Sequence, residues 1–578
     1  MKCDLILKHG QVYNAYFKKF IEADVVIVDG KFFYIGDASQ HDFDGECLDV
    51  SGQYIVPGLI DCHVHIESSM TTPTWFAKEV LKHGVTTLIA EPHEIANVYG
   101  VEGIKTMLKD GEHCGVDVKL AIPSSVPSTS EGLETTGGII DEAEVRELLE
   151  HEQTICFGEV MNCRDLINDE QSKTRRLVSL CRALRPELPI EGHCPAFMDL
   201  ELAKILYQGV GADHTEQTPE RMEARIQNGM FVQLQNKTLR QENIDYLKSN
   251  NLFEHFAIVT DDTMPHDFVN IGHLDALVRK AMGLGLTPEE AIYVTTYTPA
   301  KRMRLYDRGA IAPGLLADFI VLDSLDSFAI NSVYRLGKLE YAKTMKYEAD
   351  SASVESIKAA TESLYAPYMN SVHVPELSAD DFTVKAPIKE GTVNCVLMKV
   401  QDGTTFIERQ SVEVPVRNYE LQWEETPYAL ACVIERHGKN GNRGFALVGG
   451  NALKRGAAAT TYAHDHHNLL VLGQTKADMA LAANTVVAEQ GGYIVVENEE
   501  ILAFAPLKIA GILYNGPMTD LALDIQNVVN ALHGLGYEHS NVIMSLSTLG
   551  LPVSPYVKVT DKGLIDVKKQ CIIPLIEA

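Results

Sequence analysis

The chain is 578 residues long and carries 50 Lys and Arg against 79 Asp and Glu, a formal net charge of −29. That surplus of negative charge speaks against a nucleic-acid backbone or an anionic membrane as partner, and 46% hydrophobic with 22% charged residues is the composition of a globular protein of several domains. No apolar run approaches the roughly 18 residues of a membrane span, the opening Leu5-Ile6-Leu7 is too short for a secretory signal, and the 11 Cys contain no C-x-x-C pair, so a cytoplasmic protein with free thiols is expected.

The first 55 residues alternate short apolar runs with Asp29-Gly30 and Gly36-Asp37, the pattern of β-hairpins. From residue 54 the pattern changes to apolar strands separated by amphipathic segments. Strands are expected at 54–60, 85–90, 118–122, 154–157, 188–191, 210–212, 230–234 and 256–260, with helices such as 142–150, 173–184, 199–208 and 219–228 between them. Eight alternating units predict an α/β protein built on a (β/α)8 TIM barrel over 56–302. Thr287-Pro288-Glu289-Glu290 is a capping box with Pro at the first helical position, so a further helix begins there. Strand patterning returns at 309–323, and 1–55 plus 303–368 is expected to form one small composite β domain flanking the barrel. Pro375, Ser378, Asp380, Asp381 and Pro387 mark 369–387 as a linker, and 388–578 has the patterns of an additional C-terminal α/β domain. Within it, Gly449 to Gly456 lacks the G-K-[ST] of a P-loop and reads as a tight turn. Met222, Met230, Met264, Met282 and Met303 share no period and read as core filler.

Barrel active sites lie at the C-terminal ends of the strands, and here those ends carry metal-ligand residue types. Strand one runs into Asp61-Cys62-His63-Val64-His65, whose two imidazoles point to the same side of an extended chain. Strands four, five, six and eight end at Glu159, His193, His214 and Asp261-Asp262. Four imidazoles and two carboxylates exceed one tetrahedral shell, so two divalent cations about 3.5 to 4 Å apart, sharing Glu159, are the economical arrangement. Imidazole and carboxylate without thiolate suit Mn, Fe or Zn. Such cations supply hydroxide at neutral pH, and Asp261 is expected to orient it and carry its proton to a leaving group. Strand alternation lets only one of Asp261 and Asp262 point inward, and Asp261 is the one expected.

This set resembles the amidohydrolase superfamily, with Val56-Pro57-Gly58-Leu59-Ile60-Asp61-Cys62-His63-Val64-His65 similar to its opening motif and Gly309-Ala310-Ile311-Ala312-Pro313-Gly314 with Ala317-Asp318 similar to its closing one. A closer resemblance, over nearly the whole chain, is to the bacterial adenine deaminase family. It rests on His65-Ile66-Glu67-Ser68-Ser69-Met70, Ala90-Glu91-Pro92-His93-Glu94-Ile95-Ala96-Asn97, Gly158-Glu159-Val160-Met161-Asn162, Gly192-His193, Asp213-His214 with Glu216, Thr260-Asp261-Asp262, and Ala463-His464-Asp465-His466-His467-Asn468. The resemblance implies hydrolysis of adenine to hypoxanthine and ammonia in purine salvage, by two Mn2+ or Fe2+ per chain at His63, His65, Glu159, His193, His214 and Asp261. A homo-oligomer is expected. The carboxylated lysine that often bridges the metals of the superfamily has no counterpart, since no Lys lies between 154 and 172, which disfavours the runner-up, a cyclic-amide hydrolase. A non-catalytic barrel acting as a binding protein is disfavoured by the complete ligand set. His65-Ile66-Glu67 matches the H-x-E of the zinc deaminases, but no P-C-x-x-C follows.

Glu67 lies on the loop roofing the site, where it hydrogen-bonds purine ring nitrogens or passes a proton, or else is a solvated loop acid. Glu91 and His93 follow strand two and are taken, with Ser69, as substrate-binding residues; an extra metal or a structural hydrogen-bond network are the other readings of the pair. For His464-Asp465-His466-His467 three readings stand: a polar loop closing over the active site, a second metal site, or a solvated turn.

Overall fold

In the computed structural model, which describes residues 1–345 and 351–577, the N-terminal strands and those near residue 330 form one sheet. Its order is Lys338–Ala342, Ala329–Arg335, Phe319–Ser324, Tyr54–Pro57, Lys2–Asn14, Lys19–Val28 and Lys31–Gly36, with Asp44–Asp49 paired to Lys2–Asn14. The two flanks of the chain thus share a core through Leu7, Val25, Ile55 and Phe319. Residues 346–350, within the span 303–368 read as part of this unit, lie outside the described residues.

Apolar side chains run without interruption from Tyr54 to Ile60, and the expected first barrel strand in fact divides at Gly58. Tyr54–Pro57 stays in the flanking sheet, and Leu59–Val64 opens the parallel set. The division falls at Gly58 because its N–H donates to Asp318 O at 2.9 Å and a Cβ there would lie 2.2 Å from Thr86 Oγ1, so only glycine permits the approach. The shift moves His63 into the strand itself.

The remaining strands of the parallel set are Val85–Ala90, Asp117–Ile122, Thr154–Val160, Ile190–Gly192, Ala212–Asp213, Phe231–Leu234 and Phe256–Ile258, arranged as a five-stranded and a three-stranded ladder. Gly211 N–H donates to Ile190 O at 2.9 Å across one junction, and Val64 makes a parallel bridge to Asp261 across the other. Helices fall where the patterning placed them, among them Glu142–Leu149, Lys173–Leu184, Asp199–Tyr207 and Pro219–Ile226. Both Asp141/Glu144 and Thr287/Glu290 form capping boxes, each satisfying two end amides.

The C-terminal region is a nine-stranded sheet, from Glu420–Leu421 at one edge to Glu500–Pro506 at the other, with helices Lys476–Ala488 and Met518–Gly534 and a small sheet beginning at Val557–Thr560. The expected linker is not one. Val372, Val374, Leu377, Phe382, Val384 and Ala386 are buried in the same cluster as Trp423, Leu430 and Val471, and Gln490 and Asn484 accept amides of Ser371, Val372 and Leu377. This region also sits on the loops at the ends of the parallel strands: Tyr514 N–H donates to Met70 O at 2.7 Å and Trp75 Nε1 to Asn515 Oδ1 at 3.1 Å.

Candidate active site

Strand Leu59–Val64 delivers His63, and His65 follows at once, their rings edge to face at 4.9 Å. His65 Nδ1 lies 2.8 Å from the Glu91 carbonyl oxygen, which can only accept, so that nitrogen carries the proton and Nε2 presents a lone pair. The lone pair faces Asp261 Oδ1 at 3.3 Å and Glu159 Oε1 at 3.7 Å. His63 Nε2 is buried without a hydrogen-bond partner, 3.5 Å from Asp261 Oδ1. On the far side Glu159 Oε2 meets His193 Nδ1 at 3.0 Å and His214 Nε2 at 2.9 Å, and His214 stacks on His63 with centroids 4.0 Å apart. The side chains expected as ligands therefore converge, with Glu159 spanning two groups.

Asp261 has left-handed backbone, φ 60°. It is gripped there because its N–H donates to His63 O at 3.1 Å and its carbonyl accepts from His65 N–H at 3.4 Å, which brings the carboxylate to both imidazoles. Gln235 donates to its second oxygen. Asp262 is turned to the Ser68 hydroxyl instead. Burial alone raises the carboxyls of Glu159 and Asp261, but the imidazoles around them outweigh it and hold both well below the usual range.

Glu67 is buried, which rules out the solvated-acid reading; its Oε1 accepts from Ile95 N–H at 3.3 Å, and Oε2 has no partner. Burial, reinforced by Glu94, pushes this carboxyl up to about 7. Ser69 and Glu91, read as substrate contacts, are engaged otherwise. The Ser69 hydroxyl donates to Ile66 O at 2.7 Å and pairs with Thr71 Oγ1 at 2.8 Å, holding its own turn. Glu91 Oε2 accepts from His93 Nδ1 at 2.6 Å, and its Oε1 from Glu159 N–H at 3.1 Å, so it orients those two residues. His93 Nε2 faces Glu94 and Asp465. The stretch His464 to His467 is no solvated turn: it is buried against the ends of the parallel strands, where His464 and His467 contact the two oxygens of Glu94.

The amidohydrolase family matches residues 54–345, and the adenine deaminase C-terminal domain matches residues 404–571. An adenine deaminase of Clostridium perfringens strain 13 is 48% identical over 577 residues, covering 100% of this chain and 99% of the relative. Adenine deaminase 2 of Shouchella clausii is 46% identical with the same coverage, and an adenine deaminase of Lactobacillus delbrueckii subsp. bulgaricus is 42% identical over 100% of both chains. The chain belongs to the adenine deaminase family.

As an adenine deaminase family member with an amidohydrolase unit, it has a TIM-barrel-type fold with extra domains and implies a divalent-metal cofactor. The residues fit such a metal. His63 Nε2 is an orphaned buried nitrogen and His65 Nε2 a lone pair aimed at carboxylates, the pattern in which a histidine's far nitrogen is tied to a carbonyl so that the near one can ligate.

Sequence reasoning singled out His214 but not what holds it. Asp213 accepts from Cys194 N–H at 3.0 Å, Thr215 N–H at 3.1 Å, Gln217 Nε2 at 2.8 Å and Arg225 Nε at 2.6 Å, and Arg225 also donates to Cys194 O at 2.7 Å. This fully buried pair ties the residue after His193 to the residue before His214. Arg225→Ala leaves the Asp213 charge buried and unpaired, and a stability loss of about 3 to 5 kcal/mol is expected by chemical denaturation. Burial raises the Asp213 carboxyl, but Arg225 and the amides lower it to about 2. Because that value lies below the unfolded value of about 4, the stabilisation is complete above it and is lost as pH falls toward 2.

Proposed function

We infer that the chain hydrolyses adenine to hypoxanthine and ammonia, and that His63, His65, Glu159, His193, His214 and Asp261 hold two divalent cations sharing Glu159. The full-length match to adenine deaminases carries the reaction, and the span of Glu159 between two imidazole groups supports the shared pair. Bound cations lower the pKa of water toward about 7 and so supply a nucleophile at neutral pH. The oxygen adds to C6 of the purine, C6 becomes tetrahedral, and the C6–N bond breaks as ammonia leaves. Asp261, ionised and aimed at the cluster, takes the proton of the attacking water and passes it to the departing amino nitrogen. Glu67, with a free Oε2 and a carboxyl at about 7, is protonated in a large fraction at neutral pH, donates its proton to a ring nitrogen as negative charge gathers there, and recovers one from the C6 hydroxyl as the carbonyl of hypoxanthine forms. His93 stands beside His65, ring centroids 4.7 Å apart, at the edge of the same cluster.

Two junction contacts, Gly211 to Ile190 and Val64 to Asp261, support reading the eight parallel strands as one closed (β/α)8 barrel over 56–302. The shared flanking sheet supports 1–55 plus 303–368 as a composite domain, and the C-terminal sheet supports the last domain, whose core takes in Val372 to Ala386 ahead of the expected start at 388. The imidazole and carboxylate donors and the family resemblance support Mn2+ or Fe2+ as the metal, and the resemblance also supports purine salvage. No helix among the described residues is long and apolar enough to cross a membrane, and the cytoplasmic homo-oligomer remains part of the reading.

The test is direct. Purified chain loaded with Mn2+ is expected to remove the adenine absorbance band with release of ammonia, and chelator is expected to abolish this. Turnover of a dihydroorotate or a hydantoin without turnover of adenine would place the chain with the cyclic-amide hydrolases.

A further inference from the structure

A second cluster of ligand residue types stands at the ends of the parallel strands, adjoining the groups assigned to deamination at His93. Helix His93–Gly111 begins with His93 and Glu94, and the segment after strand Ala457–Thr460 brings His464, Asp465 and His467 against them, all buried. Hydrogen bonds fix their orientation. The Glu91 carboxylate accepts the Nδ1–H of His93 at 2.6 Å, so Nε2 is the nitrogen that faces Glu94 Oε1 at 3.3 Å and Asp465 Oδ1 at 3.6 Å. Ala463 N–H donates to His467 Nδ1 at 3.2 Å, which leaves the His467 proton on Nε2, where it is donated to Glu94 Oε2. Glu94 Oε1 is thereby turned toward His93 and His464. His464 Nδ1 lies 3.6 Å from Asp465 Oδ1.

Ligand atoms of His93, Glu94, His464 and Asp465 all lie within 4.8 Å of one another. Asp465 Oδ2 and His464 Nε2 are buried without a hydrogen-bond partner, and Glu94 Oε1 meets His464 Nδ1. Two carboxylates facing one another away from water repel unless positive charge stands between them, supplied either by protonated His93 and His464, which against the lowering effect of burial these carboxylates hold above the usual imidazole range, or by a bound cation that replaces their protons. Donors about 2.1 Å from a tetrahedral ion are about 3.4 Å apart; His93 Nε2 to Glu94 Oε1 and to Asp465 Oδ1, and His464 Nδ1 to Asp465 Oδ1, lie at 3.3 to 3.6 Å, while His464 Nδ1 and Glu94 Oε1 touch directly and would move apart to admit an ion.

We propose that His93, Glu94, His464 and Asp465 bind a further divalent transition ion, separate from the pair at Glu159, that staples the C-terminal region onto the ends of the parallel strands. Two imidazoles and two carboxylates without thiolate suit Zn2+ or Mn2+ rather than Ca2+ or Mg2+, and the two carboxylates neutralise its charge. Glu91 and His467 play the outer part, orienting a histidine and a carboxylate that ligate. Glu94 and His467 are 373 residues apart in the chain, so the site exists only when the two regions are docked, and its binding energy is docking energy.

The test counts metal on the full-length chain, stripped with chelator, reloaded with Zn2+ and freed of excess by gel filtration. Asp465→Asn and His464→Gln are each expected to lower the content by about one equivalent, the share of one four-donor site, both in the otherwise unchanged chain and in a Glu159→Gln background that disables the other pair. The Glu159→Gln chain alone is expected to retain that equivalent and to lose it on treatment with a strong chelator. Unchanged metal content in both Asp465→Asn and His464→Gln would overturn the proposal and leave His464 as an imidazolium between two carboxylates. Loss of all metal from correctly folded Glu159→Gln would overturn it as well. Full metal in Glu159→Gln bears instead on the shared carboxylate, and the Asp465→Asn comparison still decides this site.

Discussion

Replacing Glu159 with Gln is expected to empty the cation pair among the strand ends and to abolish turnover of adenine, while the fold persists. Glu159 faces both imidazole groups, with Oε2 at 3.0 and 2.9 Å from His193 and His214 and Oε1 at 3.7 Å from His65. An amide keeps the shape but removes the negative charge, and its NH2 turns a donor toward nitrogens whose lone pairs must ligate. Loss of a residue that merely orients a ligand costs about 10- to 100-fold in affinity or activity, so loss of the shared ligand is expected to cost more than about 10²-fold. Elemental analysis and the adenine assay, run on protein with an unchanged circular-dichroism spectrum, measure it. Full activity with full metal would move the shared position to another residue.

What could be read from the sequence was local or periodic. Strand ends in a barrel converge whatever lies between them, so His63, Glu159, His193, His214 and Asp261 were legible from the alternation of strands and helices alone. The capping box at Thr287 is a four-residue signal and gave its helix directly. The division at Gly58 was not legible, because the apolar text around it is continuous and the break depends on how closely Thr86 approaches. Residues 369–387 were misread for a related reason. Their Pro, Ser and Asp content signals a linker, whereas Val372, Val374 and Phe382 are buried against strands up to about a hundred residues later in the chain. The contacts that decide roles carry no local signal. Nothing near Glu94 announces His464 and His467, and nothing near His214 announces that Arg225 neutralises Asp213. Such pairs are set by the tertiary fold, and a buried charge finds its partner wherever packing brings one.

Asp261 and Asp262 are adjacent acids, and exchanging each for Asn is expected to separate them sharply. Asp261 touches His63 and His65 and is held in a left-handed turn between their backbones, and the proposed reaction assigns to its carboxylate the proton that passes from the attacking water to the leaving amino group. Asp262 accepts from the Ser68 hydroxyl and supports the turn carrying Glu67. Asp261→Asn keeps the volume, removes the proton carrier, and is expected to lower kcat by roughly 10² or more, the usual scale of general acid–base catalysis. Asp262→Asn retains an acceptor for Ser68 and is expected to cost about 10-fold or less, as for a partner that orients rather than reacts. The comparison must be made at matched metal content, because the proposed site also counts Asp261 among the cation ligands. Measured that way, a drop confined to kcat in Asp261→Asn identifies proton transfer, whereas a drop that disappears on metal saturation identifies ligation alone. If Asp262→Asn is instead the inactive variant, the residue carrying the proton is the one tied to Ser68, and the path from water to amino group runs along the Glu67 turn rather than between the two imidazoles.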